Sequence, residues 1–347
     1  MVSNKGVIYK KVPERAPVAG EHLAIEDRPI DLSAATALPG GLFVEVLWAS
    51  LDPYMRARLR DPKIPSYSPP YDLDAPISGF NVCRVLHSDT PAYAVGEIIV
   101  TPSALAEYSP VPAVALGYAN KIKETFGLHL GHFTGALGMP GATAYEGLYR
   151  IGQPKKGETV FVSSAAGAVG QLVGQLAKSE GCTVIGSVGS QDKLDFVTKE
   201  LGFDAAFNYK EETPAEALAR LAPNGVDIYF DNVGGEHLDA ALAKMNTKGR
   251  VICCGMISQY NTPANERYAL KNVIQIVSNQ LHIEGFIVKY NQETVDKLRE
   301  HVGPLIKDGK IKAKLDVTPS IDQAAEGFVG MLSGANFGKV VVKVHGE

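Results

Sequence analysis

The residues with most to say about chemistry form one turn, Ala165-Ala166-Gly167-Ala168-Val169-Gly170. It lies between an apolar run, "TVFVSS", and a helical pattern, "AVGQLVGQLAKSE". In that pattern Val169, Leu172, Val173, Leu176 and Ala177 recur at i, i+3, i+4, i+7 and i+8. That spacing is one buried stripe of a helix, with Gly181 as its C-cap. A phosphate placed in the turn would meet free backbone N–H groups and the positive end of the helix dipole. Gly167 lets the backbone approach a pyrophosphate, and Gly170 lets helix pack against strand. Ala165 stands where a dinucleotide fingerprint usually has its first glycine, a mild departure. The following strand decides between cofactors. An acid about 20 residues past the fingerprint would take the ribose 2′-hydroxyl of NAD. Here the segment reads Gly186-Ser187-Val188-Gly189-Ser190, with Lys193 just inside the next helix. No carboxylate is there to repel a 2′-phosphate, and a cation is at hand, so the expectation is NADP rather than NAD.

The surrounding elements fit such a turn. After residue 140, apolar strands alternate with helical patterns: "TVFVSS", "CTVIGSV", "AAFNY", "VDIYFDNV", "RVICCGMI" and "LHIEGFIV" are separated by "AVGQLVGQLAKSE", "QDKLDFVTKEL", "TPAEALARLA" and "EHLDAALAKM". Alternation of this kind predicts βαβ units and a doubly wound parallel sheet. Continuously apolar strands agree, since these are buried on both faces. Before residue 140, short β-like runs ("LFVEVLWASL", "NVCRVLHS", "EIIVTP") are separated by proline-rich turns. That predicts a β-rich unit. The tail holds a helical stretch, "TVDKLREHVGPLIKDG", and a short strand, "KVVVKVHG". The expected division is a β-rich domain over 1–140, a nucleotide-binding α/β domain over 141–305, and a segment over 306–347 that returns to the first domain.

The chain has 347 residues, with Lys and Arg numbering 34 against 38 Asp and Glu. A net charge of -4 without a basic cluster argues against nucleic acid and anionic membranes as partners. No apolar run approaches the roughly 18 residues of a membrane helix, and the polar start lacks a signal core, so a cytoplasmic protein is expected. Cys83, Cys182, Cys253 and Cys254 form neither a disulfide framework nor a Cys-x-x-Cys pair. A structural zinc needs about four closely spaced thiolates or imidazoles, and a catalytic zinc needs about three ligands. His87, His129 and His132 are the candidates, without a Cys or Glu partner, so no metal is expected.

The segments "LDPYMRARL", "GMPGATAYEGL", "SSAAGAVGQLVGQLAKSEGCTVIG", "GFDAAFNYK", "DIYFDNVGGEHLDAAL", "CGMISQYN", "IEGFIVKY" and "LSGANFGKVVVKV" run in order from residue 51 to the C-terminal end. Together they resemble the zinc-free leukotriene dehydrogenase/prostaglandin reductase branch of the medium-chain dehydrogenase/reductases, which includes alkenal double-bond reductases and curcumin reductases. The resemblance implies an α/β fold with a GroES-like β-rich catalytic domain and a Rossmann domain. It also implies NADPH, reduction of the C=C bond of α,β-unsaturated aldehydes and ketones, and a homodimer. A dimer would pair the edge-like strand "LHIEGFIV" with its two-fold mate.

Site residues follow from the resemblance one by one. Ala165, Ala166, Gly167 and Ala168, with Val169 and Gly170 completing the turn, would line the pyrophosphate. Lys193 and Tyr209 would contact the 2′-phosphate. Asn232, Cys254, Gly255, Met256, Ile257, Ser258, Tyr260, Phe286, Ile287, Val288 and Asn336 would surround the adenosine and nicotinamide ends. Tyr54 falls where zinc members carry a ligand cysteine and could face substrate; Arg56 reads as structural or cofactor-contacting. Leu105 replaces the branch's usual Trp and is expected to alter a wall near substrate. Hydride addition to the β-carbon places charge on the carbonyl oxygen, which a preorganised hydroxyl stabilises. Tyr260, just past "VICCGMI", is the chosen donor. The α-carbon proton could come from Tyr260, the nicotinamide ribose or water. The competing readings are a zinc-free quinone or carbonyl reductase and a non-catalytic NADPH-binding protein.

Overall fold

A computed structural model describes residues 1–346, and the chain divides into two units. Unit 1 comprises Met1–Met139, Tyr290–Lys307 and the chain from Leu315 onward; unit 2 comprises Pro140–Lys289 and Asp308–Lys314.

Unit 1 begins with β1 (Lys5–Tyr9), β2 (Leu23–Asp27), β3 (Leu42–Ser50), a short helix α1 (Met55–Arg58), β4 (Ser78–Ser88), β5 (Ile98–Ala104), β6 (Tyr108–Val111) and β7 (Asn120–Lys121). β1 and β2 form an antiparallel pair of their own. β3, β4 and β5 are antiparallel neighbours, with β6 paired to β3. Their inward residues, among them Val44, Val46, Cys83, Val85 and Ile99, form the core.

Unit 2 follows, from α2 (Met139–Glu146) through β8 (Thr159–Val162), α3 (Gly170–Ser179), β9 (Thr183–Val188), α4 (Gln191–Asp195), β10 (Ala205–Asn208), α5 (Pro214–Leu221), β11 (Val226–Asp231), α6 (Gly235–Lys244), β12 (Met245–Cys253), α7 (Gln275–Ser278) and β13 (His282–Gly285). The strands lie in the order β10-β9-β8-β11-β12-β13, and every pair is parallel. Local chemistry sets the helix ends. Thr213 and Glu216 form a reciprocal capping box that starts α5. Gly181, at φ 79°, terminates α3 as its position suggests. Behind the sheet, the Phe161 ring stacks on Tyr229 at 4.8 Å and on Phe207 at 6.0 Å.

The last elements are α8 (Gln292–Lys307), β14 (Leu315–Thr318), α9 (Ala324–Leu332) and β15 (Lys339–Lys343). β15 lies between β14, to which it is parallel, and β3, to which it is antiparallel. This tail departs from the expected division at 305/306 in two ways. α8 already belongs to unit 1, because the buried Arg299 donates from Nε to Leu137 O at 3.0 Å, from Nη1 to Lys121 O at 2.8 Å and from Nη2 to Asn120 Oδ1 at 2.7 Å. Asp308–Lys314 instead belongs to unit 2. The buried amides of Gln171 and Gln175 on α3 each both donate to and accept from this passing backbone, at Lys314 and Lys312 respectively. Two side chains thereby satisfy a segment that pairs with no strand.

No helix among the described residues is long and apolar enough to cross a membrane. One shielded imidazole in each unit bears on acid stability, His237 buried and His132 half-buried. Burial pushes His132 in unit 1 down to about 4, with a contribution from His129, and burial pushes His237 in unit 2 down to about 4. Unfolding restores the ordinary value of about 6.5, so between these values the unfolded chain binds more protons and folding weakens as pH falls. The loss should approach about 3 kcal/mol per imidazole by pH ~4. Urea midpoints across that range should show the decline, and His237→Phe should remove roughly half of it.

Candidate cofactor and active site

The strand order reverses between β8 and β11, and the carboxyl ends of such a pair are where doubly wound sheets place ligands. The small-residue turn leaves β8 there. Ser164 adopts φ 53°, the Gly167 N–H donates to Ser164 O at 2.9 Å, and the Ala165 N–H donates to Ser187 O on β9 at 2.9 Å. α3 begins at Gly170, where a Cβ would stand 2.3 Å from Ser164 O, so nothing larger than glycine fits. The alanine at the fingerprint's first position has a structural counterpart. Its methyl is buried opposite Gly186 of β9, where an added Cβ would come within 2.8 Å of it. The space usually gained inside the turn is supplied by the neighbouring strand.

Lys193 and Tyr209 stand on the segments that follow β9 and β10. Ser190 caps α4 by accepting from the Lys193 N–H at 3.4 Å. Tyr209, at the end of β10, lies against Gly189, where a Cβ would be 3.0 Å from its hydroxyl. The ring also meets His237 edge-on at 5.5 Å. Beneath them the buried Ser187 Oγ has no hydrogen-bond partner among the described residues. The β9–α4 turn therefore offers serine hydroxyls and Lys193, with no acid from Val188 to Ser190, a donor set suited to a 2′-phosphorylated ribose.

A residue that sequence reasoning passed over organises the other half. Asp231, fully buried at the end of β11, accepts at Oδ1 from Tyr229 Oη at 2.6 Å, Gly234 N at 2.7 Å and Val233 N at 3.0 Å. Its Oδ2 is buried without a partner among the described residues, and burial pushes its pKa up. Asn232 is anchored to β8, donating from Nδ2 to Ser163 O at 2.8 Å and from its backbone to Ser163 Oγ at 2.9 Å. Gly234 takes φ 67°, and a Cβ there would lie 2.7 Å from Met256 Cγ. The quoted "FDNVGG" contained Asp231, but its acid was hidden by an apolar strand on one side and the glycine pair on the other.

The loop carrying Tyr260 is joined to that turn. The N–H groups of Cys254 and Gly255 both donate to Asp231 O at 3.0 Å, Ile257 N donates to Asn232 O at 3.2 Å, and Ser258 donates to Val233 O from N at 3.2 Å and from Oγ at 2.6 Å. Tyr260 folds back so that its hydroxyl oxygen accepts from the Met256 N–H at 3.2 Å. Burial pushes the Cys254 thiol up to about 12, which keeps it protonated. Phe286 packs against Gly147, and Ile287 is exposed while Val288 is half-buried.

Other candidates stand on unit 1. Tyr54 precedes α1 and packs on the unit 1 core, its pKa raised well above the ordinary value by burial, with Tyr71 and Asp52 adding to it. Asn336 lies in the turn before β15 and donates to Gly338 O at 2.8 Å. Arg56 is buried and donates to Arg15 O at 2.7 Å, a structural role. Leu105 is not a wall residue: it is fully buried in the unit 1 core, between the backbones of Val7 and Ile77. His129 accepts at Nδ1 from the Gly131 N–H and meets Trp48 edge-on at 4.3 Å.

Comparison with known proteins agrees with both units. A family model described as zinc-binding dehydrogenase matches residues 168–302, and one described as the N-terminal domain of oxidoreductase matches residues 17–117. The NADP-dependent oxidoreductase RED1 of Cochliobolus heterostrophus is 44% identical over 99% of this chain and 98% of its own. The 2-alkenal reductase (NADP(+)-dependent) of Nicotiana tabacum is 42% identical over 100% and 99%. The chain belongs to the medium-chain dehydrogenase/reductases, in the alkenal/enone reductase branch. Among solved structures, CurA of Vibrio vulnificus in complex with NADPH superposes on this medium-chain reductase with a TM-score of 0.88 at 33% identity, covering 99% of this chain and 100% of that one.

The first family description mentions zinc, and the side chains of this medium-chain reductase do not fit that ion. Among the described residues no three His, Cys, Asp or Glu side chains converge. Asp52 is met by the Lys339 ammonium at 3.2 Å. Burial pushes the Cys83 thiol up to about 12, far from the thiolate that zinc needs.

Proposed function

We propose that this enzyme reduces the C=C bond of α,β-unsaturated aldehydes and ketones with NADPH and without a metal. The observation that carries the reading is Tyr260, held by its own loop past the carboxyl end of β12, in the same parallel sheet whose β8 ends in the small-residue turn. A relative of 42% identity over the whole chain named as a 2-alkenal reductase supports it. Bound NADPH supplies the hydride for the β-carbon of the substrate.

The protein's own groups then do three things. The turn Ala165–Gly170 holds the pyrophosphate on the α3 N-terminus. Lys193 and Tyr209 receive the 2′-phosphate, and Asn232, the Cys254–Tyr260 loop and Phe286–Val288 line the rest of the dinucleotide. Tyr260 donates its hydroxyl hydrogen to the substrate carbonyl oxygen as negative charge gathers there, an interaction stronger in the transition state than in the bound substrate. Tyr54, kept protonated by burial, forms part of the substrate wall.

The reading extends to assembly. β13 is an edge strand, and Ile274, Val277 and Ile287 close to it in sequence are 65%, 76% and 64% exposed. Such an edge is a liability unless paired, so a homodimer through β13 is proposed.

Four measurements test this. Lys193→Ala should weaken NADPH by about tenfold to a hundredfold and leave NADH nearly unchanged, the loss of a charge-assisted contact of roughly 1.5–3 kcal/mol. Equal losses for both cofactors would remove Lys193 from the role. Turnover should survive exhaustive chelation; stoichiometric zinc whose removal abolishes activity would overturn the metal-free reading. Light scattering at micromolar concentration should give twice the chain mass, and a monomer would end the dimer proposal. Finally, Tyr260→Phe should lower kcat by about a hundredfold or more, because one such donor is worth about 2.7–4 kcal/mol. kcat/KM for trans-2-hexenal should fall with it, while NADPH affinity holds. A normal kcat with a raised KM would make Tyr260 a binding wall only.

A further inference from the structure

Lys339 is the largest charged side chain buried completely in this molecule, at 1% exposure, and its partner Asp52 is 3% exposed. The ammonium has three protons, and the structure gives it three acceptors: Leu51 O at 2.5 Å, Val340 O at 2.8 Å and Asp52 Oδ1 at 3.2 Å. Two of these belong to the turn that leaves β3. The second carboxylate oxygen, Asp52 Oδ2, accepts from Ser50 Oγ at 2.5 Å. The chain of bonds continues inward, from Ser50 N to Asn81 Oδ1 at 3.0 Å and from Asn81 Nδ2 to Ser103 Oγ at 2.9 Å. One network thus joins β15, β3, β4 and β5 to a turn of four residues, Leu51–Tyr54. The turn is closed by Met55 N donating to Asp52 O at 3.1 Å and Arg56 N donating to Pro53 O at 3.1 Å.

A buried ion pair is a poor way to gain stability. Desolvating both charges costs as much as their attraction returns, and apolar residues of like volume often do as well. What an apolar pair cannot do is fix direction. The ammonium satisfies its protons only when Leu51 O and Asp52 Oδ1 both point at it, and that orientation sets the heading of the backbone two residues before Tyr54. We propose that the Lys339–Asp52 pair is a positioning device for the Leu51–Tyr54 turn, holding Tyr54 at the heading from which it meets substrate. The last clause rests on the substrate-wall reading of Tyr54; the first does not.

The test separates the two. In the full-length protein, Lys339→Met/Asp52→Leu removes both charges at similar volume. Trp48, the only tryptophan, lies on β3 opposite Lys343 of β15, so its emission reports whether that pairing survives. With Trp48 emission unchanged, amide exchange at Met55–Ala57 should accelerate by about tenfold or more, while β3 amides keep their protection. Unchanged exchange at Met55–Ala57 overturns the proposal regardless of any activity. KM for trans-2-hexenal should also rise by about tenfold in the double variant, and that rise should shrink below about twofold when Tyr54→Ala is already present. Equal rises in both backgrounds would mean that the pair does not act through Tyr54. If the double variant fails to keep its Trp48 emission, Asp52→Asn decides instead. It keeps the side-chain shape and one acceptor oxygen but removes the charge and turns the other oxygen into an NH2 donor, and it should accelerate exchange at Met55–Ala57 by about threefold or more. Wild-type exchange in a folded Asp52→Asn protein refutes the device. A wild-type enzyme without enone turnover would refute the function reading while leaving the exchange result to stand or fall by itself.

Discussion

Three donors, Tyr229 Oη and the amides of Val233 and Gly234, converge on Asp231 Oδ1 inside the parallel sheet, and the cofactor end of unit 2 is built outward from that oxygen. The carboxylate straightens nothing by itself. It fixes the turn that follows β11, and the backbone of that turn in turn holds the loop that follows β12. Removing an acceptor of this kind would leave buried donors unsatisfied, at roughly 1–3 kcal/mol for each. It would also loosen both neighbouring loops, leaving the turn after β11 held chiefly by the bonds of Asn232 to Ser163. Burial disfavours the charged acid, yet the convergent donors favour it. That balance explains why an acid can sit in an otherwise apolar strand end: its environment is polar only on the side where the turn lies.

Much of this was legible in the sequence, for physical reasons that differ from place to place. The parallel sheet was readable because buried strands are continuously apolar and the helix between β8 and β9 has one clear stripe. The small-residue turn was readable because a tight strand-to-helix turn restricts residue type, as at Gly170, which has no room for a Cβ. The exchange of space between Ala165 and Gly186 was not, since those residues are 21 apart and only the strand register brings them together. Asp231 was missed because one acid at the end of an apolar run looks like a solvent-facing terminus. Leu105 was misread because a change from the family's usual residue says nothing about which way the side chain points. The tail was divided wrongly because Gln171 and Gln175 resemble ordinary polar positions on a helix. Only the structure shows them gripping a passing backbone.

The two units solve the burial of polar groups in opposite ways. In unit 2 the backbone supplies the donors and one carboxylate receives them, so the arrangement depends on glycine geometry at Gly234. In unit 1 one ammonium supplies the donors and backbone carbonyls receive them, and the arrangement depends on strand order. The acid in that second network also bears on metal chemistry, because one of its oxygens meets an ammonium that would repel a cation and the other accepts from a serine hydroxyl. Thiols that burial keeps protonated are equally unavailable. Side chains that could in principle ligate are spent on holding the fold.

The place of β15 in its sheet has a consequence for how the chain is made. β3 emerges from the ribosome long before its neighbour β15, which follows every strand of unit 2. Through that interval the Trp48–Ser50 end of one edge of β3 has no strand to pair with, since β6 covers only Leu42–Glu45, and it is an open template for the wrong partner. Unit 2 faces no such delay across its sheet, whose six strands are contiguous in the order of synthesis between residues 159 and 285. Vectorial folding would therefore complete the nucleotide-binding sheet while the β-rich unit is still waiting for its closing strand. Substitutions in β15 would then be felt first as lower yield of correctly folded protein during translation, rather than as altered behaviour of the finished enzyme.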